Sequence, residues 1–143
     1  MALSSNSVVL PQVPRIEPQN FVEGVDVAGT LKTIFTPGAN GSKVVGVVAT
    51  SRDNALAHTV LLYLTRSGTD YLLGTVSVAA EAGHNGAVPG ADIMDPAMNP
   101  GLPLDADGQP YILLEPDDLL KATFGTGLTS GKRVDLVTVG ADF

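Results

Sequence analysis

Between Thr30 and Ala79 the chain reads TLKTIFT, PGANGS and KVVGVVATSR, then HTVLLYLTR, SGTD and YLLGTVSVAA. Each apolar run is shorter than a dozen residues, is rich in Val, Leu, Thr and Tyr, and stops at Gly, Asn, Asp or Ser. Runs of that length and chemistry are too short for packed helices and suit strands joined by turns, so four consecutive β-strands are predicted. In Pro37-Gly38-Ala39-Asn40-Gly41 a fixed φ is followed by residues that tolerate positive φ, which predicts a hairpin. Lys43 to Ala49 is apolar on both faces and is expected to be covered on both sides. Ser51 to Ala57 is expected as a loop, and Val60–Thr65 is expected to pair with Tyr71–Ala79 across Arg66-Ser67-Gly68-Thr69-Asp70. Tyr63 and Tyr71 are expected at the rim of the core.

Residues 1–29 have a different texture. Pro11, Pro14 and Pro18 each remove a backbone donor and fix φ, which forbids a helix and disfavours a central strand. An extended N-terminal arm is expected, followed by one β-domain over residues 30–143. The arm carries Val8, Val9, Leu10, Val13, Ile16, Phe21 and Val22, more large apolar side chains than a solvated tail needs. These residues are expected to pack on a neighbouring subunit.

Residues 80–110 contain five glycines and five prolines and are expected as one long irregular loop. Ile93, Met94 and Met98 within it are expected to face a partner or to fold over one mouth of the domain. Asp105-Ala106-Asp107-Gly108 begins like a calcium loop but lacks the third oxygen ligand and the closing Glu, so it reads as a turn. Glu115-Pro116-Asp117-Asp118 reads as a solvated reversal. Strands are expected again at Tyr111–Leu114, Leu119–Phe124 and Lys132–Val139. The intervening GTGLTSGK is followed by Arg133 and a strand where a phosphate loop requires Ser or Thr and a helix, so it is expected to be a glycine-rich hairpin.

Composition excludes several functions. The chain has 143 residues, one domain's worth, and 15 acidic against 8 basic residues give a net charge of −7, which disfavours contact with a phosphate backbone. There is no Trp and no Cys, which removes the strongest stacking platform and any thiolate metal site. The lack of Cys also fits folding in a reducing compartment. The longest uninterrupted apolar run, Val60–Leu64, is far short of the ~20 residues of a membrane span. MALSSNSVVL has no cationic residue and does not read as a secretory signal. His58 and His84 have no partner at metal or triad spacing, so neither a catalytic residue nor a bound cofactor or metal is expected.

Seven or eight short strands with turn signals every 8 to 12 residues define an all-β protein, an antiparallel β-sandwich of jelly-roll type or a small barrel. The order TLKTIFTPGANGSKVVGVVATS, VLLYLTRSGTDYLLGTVSV, YILLEPDDLLKATFGTG and a terminal Val139-Gly140-Ala141-Asp142-Phe143 resembles a group of small tailed-bacteriophage virion proteins. The resemblance covers roughly residues 30–79 and 109–143 and omits the arm and the long loop. It implies a capsid cement or decoration protein: a homo-oligomer, dimer before trimer, bound to the major capsid protein on the outer surface of the virion and assembled in the host cytoplasm. A lectin-like or adhesin module, a tail or head-completion protein and a hydrolase are the competing readings. The first lacks exposed aromatics and a calcium loop, and the last lacks a nucleophile elbow.

Overall fold

The computed structural model describes residues 13–143, so Val8, Val9 and Leu10 lie outside the described residues. Nine strands follow one another: β1 Val13–Val22, β2 Lys32–Phe35, β3 Ser42–Ser51, β4 His58–Arg66, β5 Thr69–Val78, β6 Ala91–Asp92, β7 Ile112–Leu114, β8 Leu119–Phe124 and β9 Arg133–Asp142. They form two antiparallel sheets. One has the order β1-β9-β3, with β6 and β7 both on the far side of β3, and the other has the order β2-β8-β4-β5. With β6 and β7 sharing one position, this is the strand order of a jelly roll. The predicted antiparallel sandwich is the observed architecture.

The two sheets bury one core between them. Period-2 alternation sends Val44, Val47 and Ala49 inward from β3, Val60 and Leu62 from β4, Leu120 and Ala122 from β8, and Val134 and Leu136 from β9. Phe21 of β1 meets Phe124 of β8 edge to face at 4.6 Å between ring centroids, which ties one sheet to the other. The β4–β5 hairpin is present as predicted, with Arg66 opposite Thr69. Its two-residue turn holds Ser67 and Gly68 at φ 52° and 76°, the positive-φ pair that matches the twist of a tight hairpin.

Two other predicted hairpins are not hairpins. Pro37–Gly41 joins β2 of one sheet to β3 of the other, and residues 125–131 likewise carry the chain from β8 across to β9. Turn chemistry at these points is correct, since Gly41 has φ 88° and its N–H donates to the Gly38 carbonyl at 3.0 Å. A tight turn fixes a reversal in direction but not which strand becomes the neighbour, and here each apolar face is buried only when successive strands enter opposite sheets.

The N-terminal region also departs from expectation. Residues 13–22 are no detached arm but the edge strand β1, paired with β9 from Val13 opposite Asp142 to Val22 opposite Arg133. Proline is tolerated there because Pro14 and Pro18 turn their missing donor away from β9. The free edge is further blunted: the N–H of Asn20 donates to the Gln19 side chain at 3.0 Å and that of Val22 to Asp26 at 2.7 Å. Across this edge Arg15 reaches the Thr36 carbonyl at 2.8 Å and Gln19 the Thr33 carbonyl at 3.1 Å, lacing β1 to the other sheet.

Candidate functional site

The interior faces of the strands account for half of their apolar residues, and the outward faces hold the rest. On the outer face of the β1-β9-β3-β7 sheet, three successive rungs are mostly apolar. Pro14, Ala141, Lys43 and Leu113 form the first, Ile16, Val139 and Gly46 the second, and Pro18, Val137, Val48 and Asp92 the third. The register slips between Val44 and Gly46, and the extra residue, Val45, is left 50% exposed beside the second rung. Ile16 is 69% exposed, Leu113 52%, Val48 43% and Val139 38%. Single exposed apolar residues are ordinary on a protein surface, but an aligned set spanning four strands forms one contiguous apolar patch. Lys43 and Asp92 are the charged members of these rungs.

This face completes the reading of β3. Its sequence is apolar on both sides, yet within the subunit only Val44, Val47 and Ala49 are covered, and Val45 and Val48 stand open. The interface residues expected from the sequence divide accordingly. Val13 and Ile16 are exposed, Met98 is 50% exposed, and Val22 is half-buried. Phe21, Ile93 and Met94 are corrected: all three belong to the subunit's own core, with Ile93 and Met94 at 0% exposure, so they present nothing to a partner. The long loop folds down over the sandwich rather than outward. Its anchor is Asn99, whose side-chain amide donates to the carbonyls of Ile93 at 2.9 Å and Asp95 at 3.0 Å. Val45, Val48, Val137, Val139 and Leu113 were missed as surface residues, although the two-sided apolarity of Lys43–Ala49 was the signal.

Titratable groups in the structure act as fasteners. Asp53, fully buried in the Ser51–Ala57 segment, accepts from the N–H groups of Ala55 at 2.9 Å, Leu56 at 3.1 Å and Thr129 at 3.0 Å. It also faces the His58 Nε2 at 2.8 Å. Burial would raise its pKa, but the hydrogen bonds from Thr129, Ala55 and His58 outweigh burial and hold it far below the usual carboxylate range. The pair therefore clamps the 125–131 crossing to the start of β4. Thr126 Oγ1 lies 3.4 Å from His58 Nδ1, but Thr126 is exposed on a glycine-flanked loop and the imidazole is sealed beneath it, a geometry for positioning rather than for nucleophilic chemistry.

Asp118 corrects the expected solvated reversal at 115–118. It is 2% exposed and takes a two-point contact from Arg66 at 2.8 and 2.5 Å, plus the Glu115 N–H at 2.8 Å. Its hydrogen bond to Arg66 lowers its pKa despite burial. At the chain end, burial pushes Asp142 up, but Ser42 at 2.5 Å and Arg15 at 3.0 Å hold it low. The Gly-Ala-Asp-Phe terminus thus fastens β9 to β1, to β3 and, through Ser42, to the Gly38 N–H at 3.0 Å. Asp105 is engaged in its own turn, accepting from Asp107 and Gln109 N–H groups at 2.9 Å each. Among the described residues no group of three or more His, Cys, Asp or Glu is placed to hold a metal ion.

No protein-family model and no curated protein matches the chain. A chain of the cyanophage Pam1 capsid asymmetric unit is similar in structure, covering 100% of this chain and 94% of that chain with 12% identity and a TM-score of 0.48. Likeness at that level is one of outline and carries no functional weight.

Proposed function

We propose that this chain is a structural protein of a tailed-phage virion that binds the outer surface of the capsid and cements neighbouring major capsid protein subunits. The observation that carries the reading is the apolar outer face of the β1-β9-β3-β7 sheet on a subunit whose own core is already closed. A jelly roll that completes its core and still shows Ile16, Val45, Val48, Leu113 and Val139 is built to be covered. The resemblance of its turn and strand motifs to small virion proteins supplies the class of partner. Cementing follows from linkage: a protein that binds the assembled shell and not its separated subunits stabilises the shell by mass action, and several linked copies add avidity.

The test is co-sedimentation with expanded, empty shells of its own phage, followed by heating. Saturable binding with a raised shell melting temperature is expected for the native chain. The Val48→Lys/Val139→Lys variant is expected to stay folded, because both positions are open, and to lose most of the binding. A native chain that leaves shells unbound, or that forms rings or tubes by itself as a tail protein would, overturns the reading.

A further inference from the structure

β5 ends the β2-β8-β4-β5 sheet, and it is finished differently from β1. On β1 two prolines and two capped N–H groups close the open edge. Residues 69–73 of β5 contain neither Pro nor Lys, and Tyr71 and Leu72 are 53% and 54% exposed. Asp70, the one charge of the stretch, is drawn back over its own sheet, where it accepts from Thr65 Oγ1 and from Lys121 Nζ at 3.4 Å. Among the described residues no loop bonds to the backbone of this stretch.

The hairpin register shows which groups are free. A two-residue turn closes on a hydrogen-bonded pair, here Arg66 and Thr69, and such pairs alternate along an antiparallel ladder with pairs whose groups point away from each other. Asp70 opposite Thr65 and Leu72 opposite Tyr63 are of the second kind, so their N–H and C=O groups point out from the sheet edge. Leu73 is the bulged residue, and beyond it the alternation reverses. Gly74 turns its groups toward Leu62 of β4, and the Met98 carbonyl and the Asn99 side chain pack against it. The open template is therefore short and centred on Tyr71.

We propose that this edge pairs antiparallel with the same edge of a second copy, about a two-fold axis at Tyr71. A stretch whose free groups are symmetric about its own middle residue is complementary to itself, which selects a second copy over a foreign strand. The free groups also select the register, since outward groups must meet outward groups. Asp70 against Asp70 sets like charges directly opposite, and Leu72 against Leu72 brings Asp70 onto Gly74, whose groups face inward. Asp70 against Leu72 of the partner subunit remains. There the two residues exchange N–H and C=O bonds, the axis repeats the exchange, and the two Tyr71 rings lie side by side as a cross-strand aromatic pair. The contact is isologous, so it closes as a dimer.

An axis of this kind stands perpendicular to the sheet, so both copies keep corresponding faces on the same side. The apolar outer faces of the two β1-β9-β3-β7 sheets then point the same way, and a dimer grips one shell at two places. Only this consequence rests on the proposed function.

Free protein without shells tests the pairing. The chain has no Cys, so an introduced thiol is the only one present. Opposite Tyr71 positions have Cα atoms about 4.5 Å apart, within disulfide reach, whereas the two Leu72 positions are displaced along the strands to about 8 Å, beyond it. Under mild oxidation Tyr71→Cys protein is expected to form its intermolecular disulfide about tenfold faster than Leu72→Cys protein. In sedimentation equilibrium the native chain is expected to approach dimer mass as its concentration rises. The Leu72→Pro variant loses an outward donor but no bond to β4, and it is expected to stay monomeric with a native circular dichroism spectrum. Should that variant fail to fold, the disulfide rates decide. Equal disulfide rates, a native chain that stays monomeric, or association to a trimer overturns the proposal. Shell binding by a chain that is monomeric in solution would leave cementing standing and remove this contact. A dimer that ignores shells would do the reverse.

Discussion

Replacing Asp53 by Asn tests whether a single buried carboxylate holds the β8–β9 crossing in place. The substitution is nearly isosteric, and if Oδ1 is kept as the carbonyl it still accepts from Ala55 and Leu56 at 2.9 and 3.1 Å. The Oδ2 position becomes an NH2 group facing the Thr129 N–H at 3.0 Å, a donor it cannot satisfy, and the His58 Nε2 at 2.8 Å, which must change tautomer to accept from it. Each buried donor left without its acceptor costs about 1–3 kcal/mol, which places the loss near 3 kcal/mol. Against a total stability of about 5–15 kcal/mol that is a large fraction, and at this chain length it lowers Tm by about 10 °C. Urea unfolding followed by far-UV circular dichroism measures it, since the chain has no Trp to report fluorescence. The effect should also depend on pH in a defined direction. The folded pKa of Asp53 is depressed, so its contribution is fully present above the ordinary carboxylate pKa of about 4 and is lost as the pH falls through the folded value. The gap between native and variant chains should therefore be widest near neutral pH and narrow on strong acidification. A variant within 0.5 kcal/mol of the native chain at pH 7 would refute the clamp.

Two further outcomes follow from the packing. Gly74→Ala should cost about 2 kcal/mol or more, because a methyl group there overlaps the Asn99 side-chain oxygen and comes within 3.0 Å of the Met98 carbonyl, and Asn99 is fixed by two bonds of its own. Thermal unfolding detects it, and an unchanged Tm would mean that the long loop is not seated as described. Asp105→Asn/Asp107→Asn should leave Tm unaltered by added calcium, because Asp105 serves only its turn. A calcium-dependent loss would restore a metal role to that segment.

Strand positions and the sandwich class were legible in the sequence because they are local: period-2 burial, short runs, and turn residues with positive φ act within a few residues of one another. Eight of the nine strands fall on apolar runs that the sequence shows, including β1, whose residues were assigned to an arm because three prolines look hostile to pairing. An edge position with donors turned outward removes that hostility, and only the sheet order reveals which strand is the edge. Pairing was illegible for the same reason. The Pro37–Gly41 and 125–131 turns are chemically sound reversals, and nothing local distinguishes a hairpin from a crossing between sheets.

Sequence alone determined that this chain folds as one all-β sandwich with an acidic surface and an apolar surplus. Only the tertiary structure decided where that surplus lies. Phe21, Ile93 and Met94 close the core, while Ile16, Val45, Val48, Leu113 and Val139 remain outside. The physical reason is that a residue's partner in a sandwich is set by strand order and register, which bring together positions as distant as Ile16 and Val139. The same holds for Asp53 with Thr129 and for Arg66 with Asp118, polar pairs whose value depends on burial that no local stretch of sequence specifies.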